Sequence, residues 1–258
     1  MVRQKLDKET RKALLNARNM IEAVAKADGN EAETRRRVER IFESLMGYDV
    51  LKHITREHAV HGVGDTEYCD FAIQLDNKES SVPIVLVELK KVNVNLMPKH
   101  LKQVSSYAIN MGCEWVLLTN GKEWKLYHIS FGQPPQPKLV DSWNLINDDP
   151  VILAEKFSSV GYKNVKKGGL ARLWEKSNVL AARNILRAIL AQESITLIRR
   201  KLKRATNVLV SPEEIIVAMR RLLNEAAIAD MEKLNISVSE EKQQKGRTSS
   251  KTKKGSEV

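Results

Sequence analysis

The sequence predicts an α/β protein in which a mixed central sheet is flanked by helices and followed by a helical subdomain. Three observations carry that prediction. Apolar residues recur at helical spacing as far as Met46; between Asp49 and Ser130 the pattern switches to short β-branched and aromatic runs; beyond a Pro-rich connection at Gly132–Lys138 helical periodicity returns.

Lys8 to Ala27 places Ala13, Leu14, Ala17, Ile21 and Val24 on one helical face, and Asp28-Gly29-Asn30 breaks the run. A second helix spans Glu31 to Met46, with Val38, Ile41, Phe42 and Leu45 as its stripe and Gly47 just past its end. Strands are expected at Asp49–Arg56, Glu67–Leu75, Pro83–Lys91, Glu114–Thr119 and Glu123–Ile129, with one helix, Pro98–Met111, among them. Asn120-Gly121 between the last two strands favours a type I′ hairpin turn. Gly132–Lys138 then leads away from the sheet. Ser211-Pro212-Glu213-Glu214 starts a late helix whose stripe is Ile215, Ile216, Met219, Leu222, Leu223 and Ala226. The polar, charged end of the chain lacks the large apolar residues that offset ordering entropy and is expected to be disordered. The predicted organisation is a sheet domain over 1–165, a helical subdomain over 166–236 and a basic tail over 237–258.

The 258 residues carry 43 Lys and Arg against 32 Asp and Glu, a formal charge of +11. The last 20 residues supply +3 of it, so +8 resides elsewhere. Such a balance favours polyanionic partners, nucleic acid being the simplest. Two cysteines without CxxC spacing, Cys69 and Cys113, suggest neither a disulfide framework nor a structural zinc site. No apolar stretch approaches the roughly 20 residues of a membrane span, and the first residues lack an apolar signal segment, so a cytoplasmic protein is expected.

Chemistry concentrates in the hairpin of the second and third strands. Pairing symmetric about residue 79 sets Asp70 opposite Glu88. Opposed carboxylates in a sheet destabilise each other unless a cation or a raised pKa relieves them, and two hard oxygen ligands suit Mg²⁺ or Mn²⁺. Strand alternation puts Leu86, Glu88 and Lys90 on one face, which brings an ammonium to the carboxylates. That set suits hydrolysis of a phosphodiester, with the ammonium helping to activate water and to stabilise developing charge. Gln103 and Tyr107 share a face of the helix Pro98–Met111, and Glu31 opens the second helix with an acid.

Asn30-Glu31-Ala32-Glu33-Thr34-Arg35, Met46-Gly47-Tyr48-Asp49, Cys69-Asp70-Phe71, Val87-Glu88-Leu89-Lys90, Gln103-Val104-Ser105-Ser106-Tyr107 and Thr119-Asn120-Gly121 follow one another in this order. The succession resembles the N-terminal nuclease domain of type I restriction enzyme restriction subunits, a PD-(D/E)XK family, over roughly Glu31 to Tyr127. The resemblance implies a restriction-endonuclease-like core that cuts DNA, with Asp70 and Glu88 holding the metal and Lys90 activating water. It further implies that Gln103 and Tyr107 support cleavage and that Glu31 assists the metal site. Those subunits continue into an ATP-driven motor; no Gly-X₄-Gly-Lys-Ser/Thr occurs here, and no ATP site is expected. The acidic run Gly64-Asp65-Thr66-Glu67-Tyr68 before Asp70 departs from what a phosphate-facing loop favours.

Plainer readings accompany several of these residues. Glu31 also suits a helix N-terminus as a dipole-complementing acid, Tyr107 suits the core, and His58 and His61 read as surface histidines of a loop. Leu170, Leu173 and Trp174 read as packing against the sheet domain or a second subunit. Arg199, Arg200, Lys201, Lys203 and Arg204 form a basic run that fits a solvated helix face and DNA-phosphate contact equally well. Two function classes follow: a metal-dependent endodeoxyribonuclease, or a catalytically inactive DNA-binding or accessory subunit of a defence or repair complex that keeps the fold. A homodimer or a partner subunit is compatible with either.

Overall fold

The computed structural model describes residues 6–61, 66–75 and 82–223. They form two compact units, the first running to Ser177 and the second beginning at Asn178. In the first unit α1 (Lys8–Lys26) and α2 (Glu31–Ser44) precede the sheet. Both start as their sequences dictate. Asp7 accepts the Thr10 N–H to cap α1, and Asn30 and Glu33 form a reciprocal capping box on α2. After α2 the Tyr48 N–H reaches back to the Phe42 carbonyl at 3.0 Å, across Gly47 with its φ of 69°.

Six strands follow in spatial order β1 to β6: β1 (Ile54–His61), β2 (Thr66–Ile73), β3 (Val85–Leu89), β4 (Trp115–Thr119), β5 (Glu123–Ser130) and β6 (Gln136–Asn144). Only β3 and β4 pair in parallel, bridged by α4 (Pro98–Met111); every other neighbouring pair is antiparallel. The sheet is thus mixed, as a crossover helix between two parallel strands requires.

Three local expectations are corrected. The segment expected to begin a strand at Asp49 first makes one helical turn, α3 (Val50–His53), because the Asp49 side chain accepts the Leu51 N–H; the strand starts at Ile54 and carries His58 and His61, which therefore do not sit in a loop. Gly132–Lys138 does not leave the sheet, since Gln136–Asn144 pairs with β5 as an edge strand. An edge position tolerates Pro137, whose missing N–H would break a central ladder. The hairpin turn centres on Gly121-Lys122, with the Asn120 N–H donating to the Glu123 carbonyl at 3.3 Å. Only Gly121 has a positive φ there, whereas type I′ needs two; the Asn120 side chain accepts the N–H groups of Lys122 and Glu123 instead.

The sheet buries both faces. On one side α1, α2 and α5 (Pro150–Ser159) cover Phe71, Val87, Leu117, Trp124 and Trp143, all in one core. Edge-to-face contacts of Trp124 with Phe42 and Phe157, at 6.3 and 5.3 Å, knit helices to strands. On the other side α4 packs Val104, Tyr107 and Ala108 against Leu86 and Val116. The short α6 (Tyr162–Val165) and then α7 (Gly169–Val179) complete this unit, where Trp174 stacks on His128 at 3.9 Å and Leu170 is buried.

The second unit contains α8 (Ala182–Ile189), α9 (Gln192–Thr206) and α10 (Pro212–Arg220), around Leu186, Leu190, Ile195 and Ile215. Ser211 and Glu214 form the capping box expected at α10. Leu222 is 85% exposed rather than part of its stripe. Ala226, Gly64 and Asp65 of the acidic run and the tail over 237–258 lie outside the described residues, while Thr66–Tyr68 of that run belong to β2.

The Gly121 turn gives a clean stability test. A Cβ at Gly121 meets Ile21 Cδ1 at 2.7 Å in addition to the positive φ, whereas one at Gly47 meets nothing within 4 Å. Gly121→Ala is expected to destabilise by about 2–5 kcal/mol and Gly47→Ala by about 1 kcal/mol, read from urea midpoints of the two variants.

Candidate active site

The β2–β3 ladder runs Ile73↔Val85, Ala72↔Leu86 and Phe71↔Val87, the register predicted from symmetry about residue 79. One step further along this register Asp70 meets Glu88. There the ladder stops, and the Leu89 N–H donates to Asp70 Oδ2 at 2.7 Å instead. A side-chain oxygen thus takes over from the backbone where the strands part. Asp70 is 8% exposed and Glu88 3% exposed, so both carboxyls lie inside the protein.

Two cations approach this pair. From α2, Arg35 donates through Nη2 to Asp70 Oδ1 and through Nη1 to Glu57 Oε1, the latter at 3.1 Å. Glu57 belongs to β1 and takes a φ of 46°, a kink beside Asp70. From the end of β3, Lys90 Nζ lies 2.6 Å from Glu88 Oε1, while its backbone N–H extends the parallel pairing to Thr119 O at 2.9 Å. Asp70, Glu88 and Lys90 are therefore brought together.

The electrostatics follow from burial. Desolvation pushes the Glu88 carboxyl up to about 7 against the pull of Lys90, and the nearby charges of Asp70 and Glu31 act in the same direction as burial. Burial alone would lower Lys90, but its hydrogen bond to Glu88 and the charges of Glu88, Glu31 and Asp70 outweigh it and hold the ammonium above its ordinary value. Glu31 is accordingly within electrostatic reach of Glu88, Lys90 and Arg35.

Gln103 and Tyr107 find each other, the Gln103 Nε2 donating to the Tyr107 hydroxyl at 2.8 Å. Among the described residues the Gln103 side chain has no hydrogen bond to the carboxylate pair. Tyr107 is also buried in the core beneath α4. The basic run Arg199–Arg204 lies on α9 in the other unit.

Three participants escaped sequence reasoning: Arg35, Glu57 and His100. Arg35 stands four residues after Glu31, on the same face of α2, and that spacing was its one legible sign. His100 is the third residue of α4; its Nδ1 accepts the Met97 N–H at 3.1 Å, the part a Glu or Gln plays in an ordinary capping box. Burial lowers its pKa, and the Lys90 charge lowers it further, which places it near the Lys90 ammonium.

A cleft of about 310 Å³ opens beside Asp70, lined by Arg35, Glu57, Tyr68, Cys69 and Asp70. A larger concavity, about 570 Å³, lies among α1, the end of α2, α5 and α6. The smaller one is the reactive candidate because the buried Asp70 carboxylate meets the Arg35 guanidinium there, although Glu88 and Lys90 do not line it; in the larger one Asp7 is already committed to capping α1. Among the described residues no three His, Cys, Asp or Glu side chains form a metal cage. Asp70 and Glu88 still fit a hard divalent ion of the Mg²⁺ kind, which needs one or two carboxylates and takes its other ligands from water and phosphate.

Residues 30–139 match the family described as the type I restriction enzyme R protein N terminus. The match covers somewhat under half of the chain, from the α2 cap into β6, and includes Glu31, Arg35, Asp70, Glu88, Lys90 and Gln103. No curated protein and no solved structure matches the chain. Among the described residues no helix is long and apolar enough to cross a membrane.

The raised Glu88 value carries a pH signature. With about 7 in the folded state against 4.5 ordinarily, the folded protein holds an extra proton between those values, and stability from this residue declines as pH rises through the window. In EDTA, Glu88→Gln is expected to gain on the parent by up to roughly 3 kcal/mol between pH 5 and pH 8, as read from urea midpoints. An unchanged gap between the two proteins would mean that Glu88 titrates normally.

Proposed function

We propose that this chain hydrolyses DNA phosphodiesters with a divalent metal, Mg²⁺ or Mn²⁺, as cofactor. One observation carries the reading: two buried carboxyls, Asp70 and Glu88, face each other where β2 and β3 part, with the Lys90 ammonium on one of them. The family match over residues 30–139 supports a nuclease-like restriction role.

Asp70 and Glu88 would hold the ion. When bound, it would supply Lewis-acid polarisation of a phosphoryl oxygen and a water of lowered pKa. The protein's part is positional and electrostatic. Lys90, held as an ammonium, orients the attacking water and donates to phosphoryl oxygens as negative charge builds on them. The Leu89 N–H fixes the Asp70 carboxylate in one orientation, so little reorganisation accompanies reaction. Glu31 adds negative charge that favours a cation at the same place, and Gln103, held through the Tyr107 hydroxyl, orients the substrate strand.

The contact of Arg35 with Asp70 favours a second reading, in which the fold is kept without catalysis: a guanidinium already neutralises the carboxylate that a metal would need. Incubation of supercoiled plasmid with the purified chain separates the two. Nicking and linearisation with Mg²⁺ or Mn²⁺, absent in EDTA and reduced about 100-fold or more by Asp70→Ala and Lys90→Ala, is the expected result. A Lys90→Ala protein that cuts at the parent rate removes Lys90 from the mechanism, and a parent that binds DNA without cutting in any metal selects the second reading.

A further inference from the structure

We propose that the helical unit carries a DNA-backbone binding face on α9, formed by Thr196, Arg199, Arg200 and Lys203, which works independently of the cleavage site. In sequence the run Arg199–Arg204 is compatible with an ordinary solvated helix surface. The structure divides it. Thr196, Arg199, Arg200 and Lys203 stand at i, i+3, i+4 and i+7 and line one concavity of about 210 Å³, closed by Leu209 and Val210. Lys201 lies about 140° around the helix from Thr196, at 100° per residue, and takes no part in it.

The face is organised. The Arg199 Nε donates to the Val210 carbonyl at 3.0 Å, which pins the guanidinium against another residue that lines the concavity. Among the described residues none of Arg199, Arg200, Lys201, Lys203 or Arg204 forms an ion pair. Glu213 lies within electrostatic reach of Arg199 without pairing to it, and Glu193 stands in the first turn of α9. Lys203 and Arg204, in the last turn, also complement the helix dipole. Arg199 and Arg200 lie farther back along the helix, and the dipole does not account for them.

Charge decides the class of ligand. Residues 178–223 hold nine Lys and Arg against three Glu, a surplus of +6 in a small unit. Three converging cations beside a hydroxyl match successive phosphates on a nucleic-acid strand, which Arg, Lys and Thr side chains contact without reading sequence. An acidic protein surface would supply no such repeat. Binding by this face is expected to be sequence-independent, metal-independent and steeply dependent on salt.

The test measures anisotropy of a short labelled DNA duplex with the full chain in EDTA, between about 50 and 200 mM salt. Arg200→Gln and Lys203→Gln should each make the plot of log affinity against log salt shallower by about one, with a several-fold loss of affinity at fixed salt. Lys201→Gln removes the same charge from the other side of α9 and should leave slope and affinity near the parent's. Equal losses from Lys201→Gln and Lys203→Gln would reduce the effect to net charge and overturn the site; so would a parent that does not bind, or variants that bind like it. Because binding is read in EDTA, where metal-dependent cutting cannot run, a failure of the cleavage reading leaves this result intact.

Discussion

The bond from the Leu89 N–H to the Asp70 carboxylate is the contact on which the arrangement of the candidate site depends. Up to Phe71 and Val87, β2 and β3 are tied by backbone pairing, and each register step carries the next. Beyond that point the strands separate, and without a substitute a buried N–H would lose its acceptor, at a cost of about 1–3 kcal/mol. Asp70 supplies the acceptor from its side chain. The same bond that closes the ladder holds one carboxylate beside the next one, so sheet architecture and site chemistry have a common origin.

Once two carboxyls are fixed together inside the protein, the rest of the site follows from charge. Buried like charges are tolerated only with neutralising partners or a proton. Arg35 and Lys90 arrive from α2 and the end of β3, and burial pushes the Glu88 carboxyl up to about 7 against the pull of Lys90. Arg35 can do this because the Asn30–Glu33 capping box fixes where α2 begins, and because the stripe Val38, Ile41 and Phe42 locks its rotation against the sheet. The core face of α2 thus aims its polar edge at Asp70.

What the sequence made legible were features set by short-range periodicity. The hairpin symmetry about residue 79 needed only alternating residues and a loop, and the observed pairs reproduce it. The expected bounds of α4, Pro98 and Met111, are those observed, with Pro98 at its first position and Gly112 just past its end at a φ of 70°. The features that were missed depend on contacts distant along the chain. The start of β6 reads as a connection because Pro134, Pro135 and Pro137 argue against a strand, and only its edge position, a fact of tertiary structure, makes Pro137 acceptable. Among Arg35, Arg36 and Arg37 the spacing from Glu31 marks the first only weakly; the orientation of α2 selects it. His100 was hidden because histidine is an unusual partner in a capping box.

The candidate site and the composition of the chain pull in opposite directions, and the structure reconciles them. Asp70, Glu88, Glu57 and Glu31 gather around two cations, a local balance that repels a polyanion unless further positive charge intervenes. The chain nevertheless has a surplus of basic residues, and a large part of it resides in a separate compact unit whose α9 presents three of its cations to one concavity. A surface that attracts phosphates and a centre that must disfavour them until neutralised are incompatible demands on the same side chains, because each added lysine near Asp70 would compete with a divalent ion for the carboxylate. On the readings proposed above, distributing the two demands over two units removes the conflict: attraction would be strong and unselective on α9, while the carboxyl pair would keep the charge deficit that gives a cation reason to bind there.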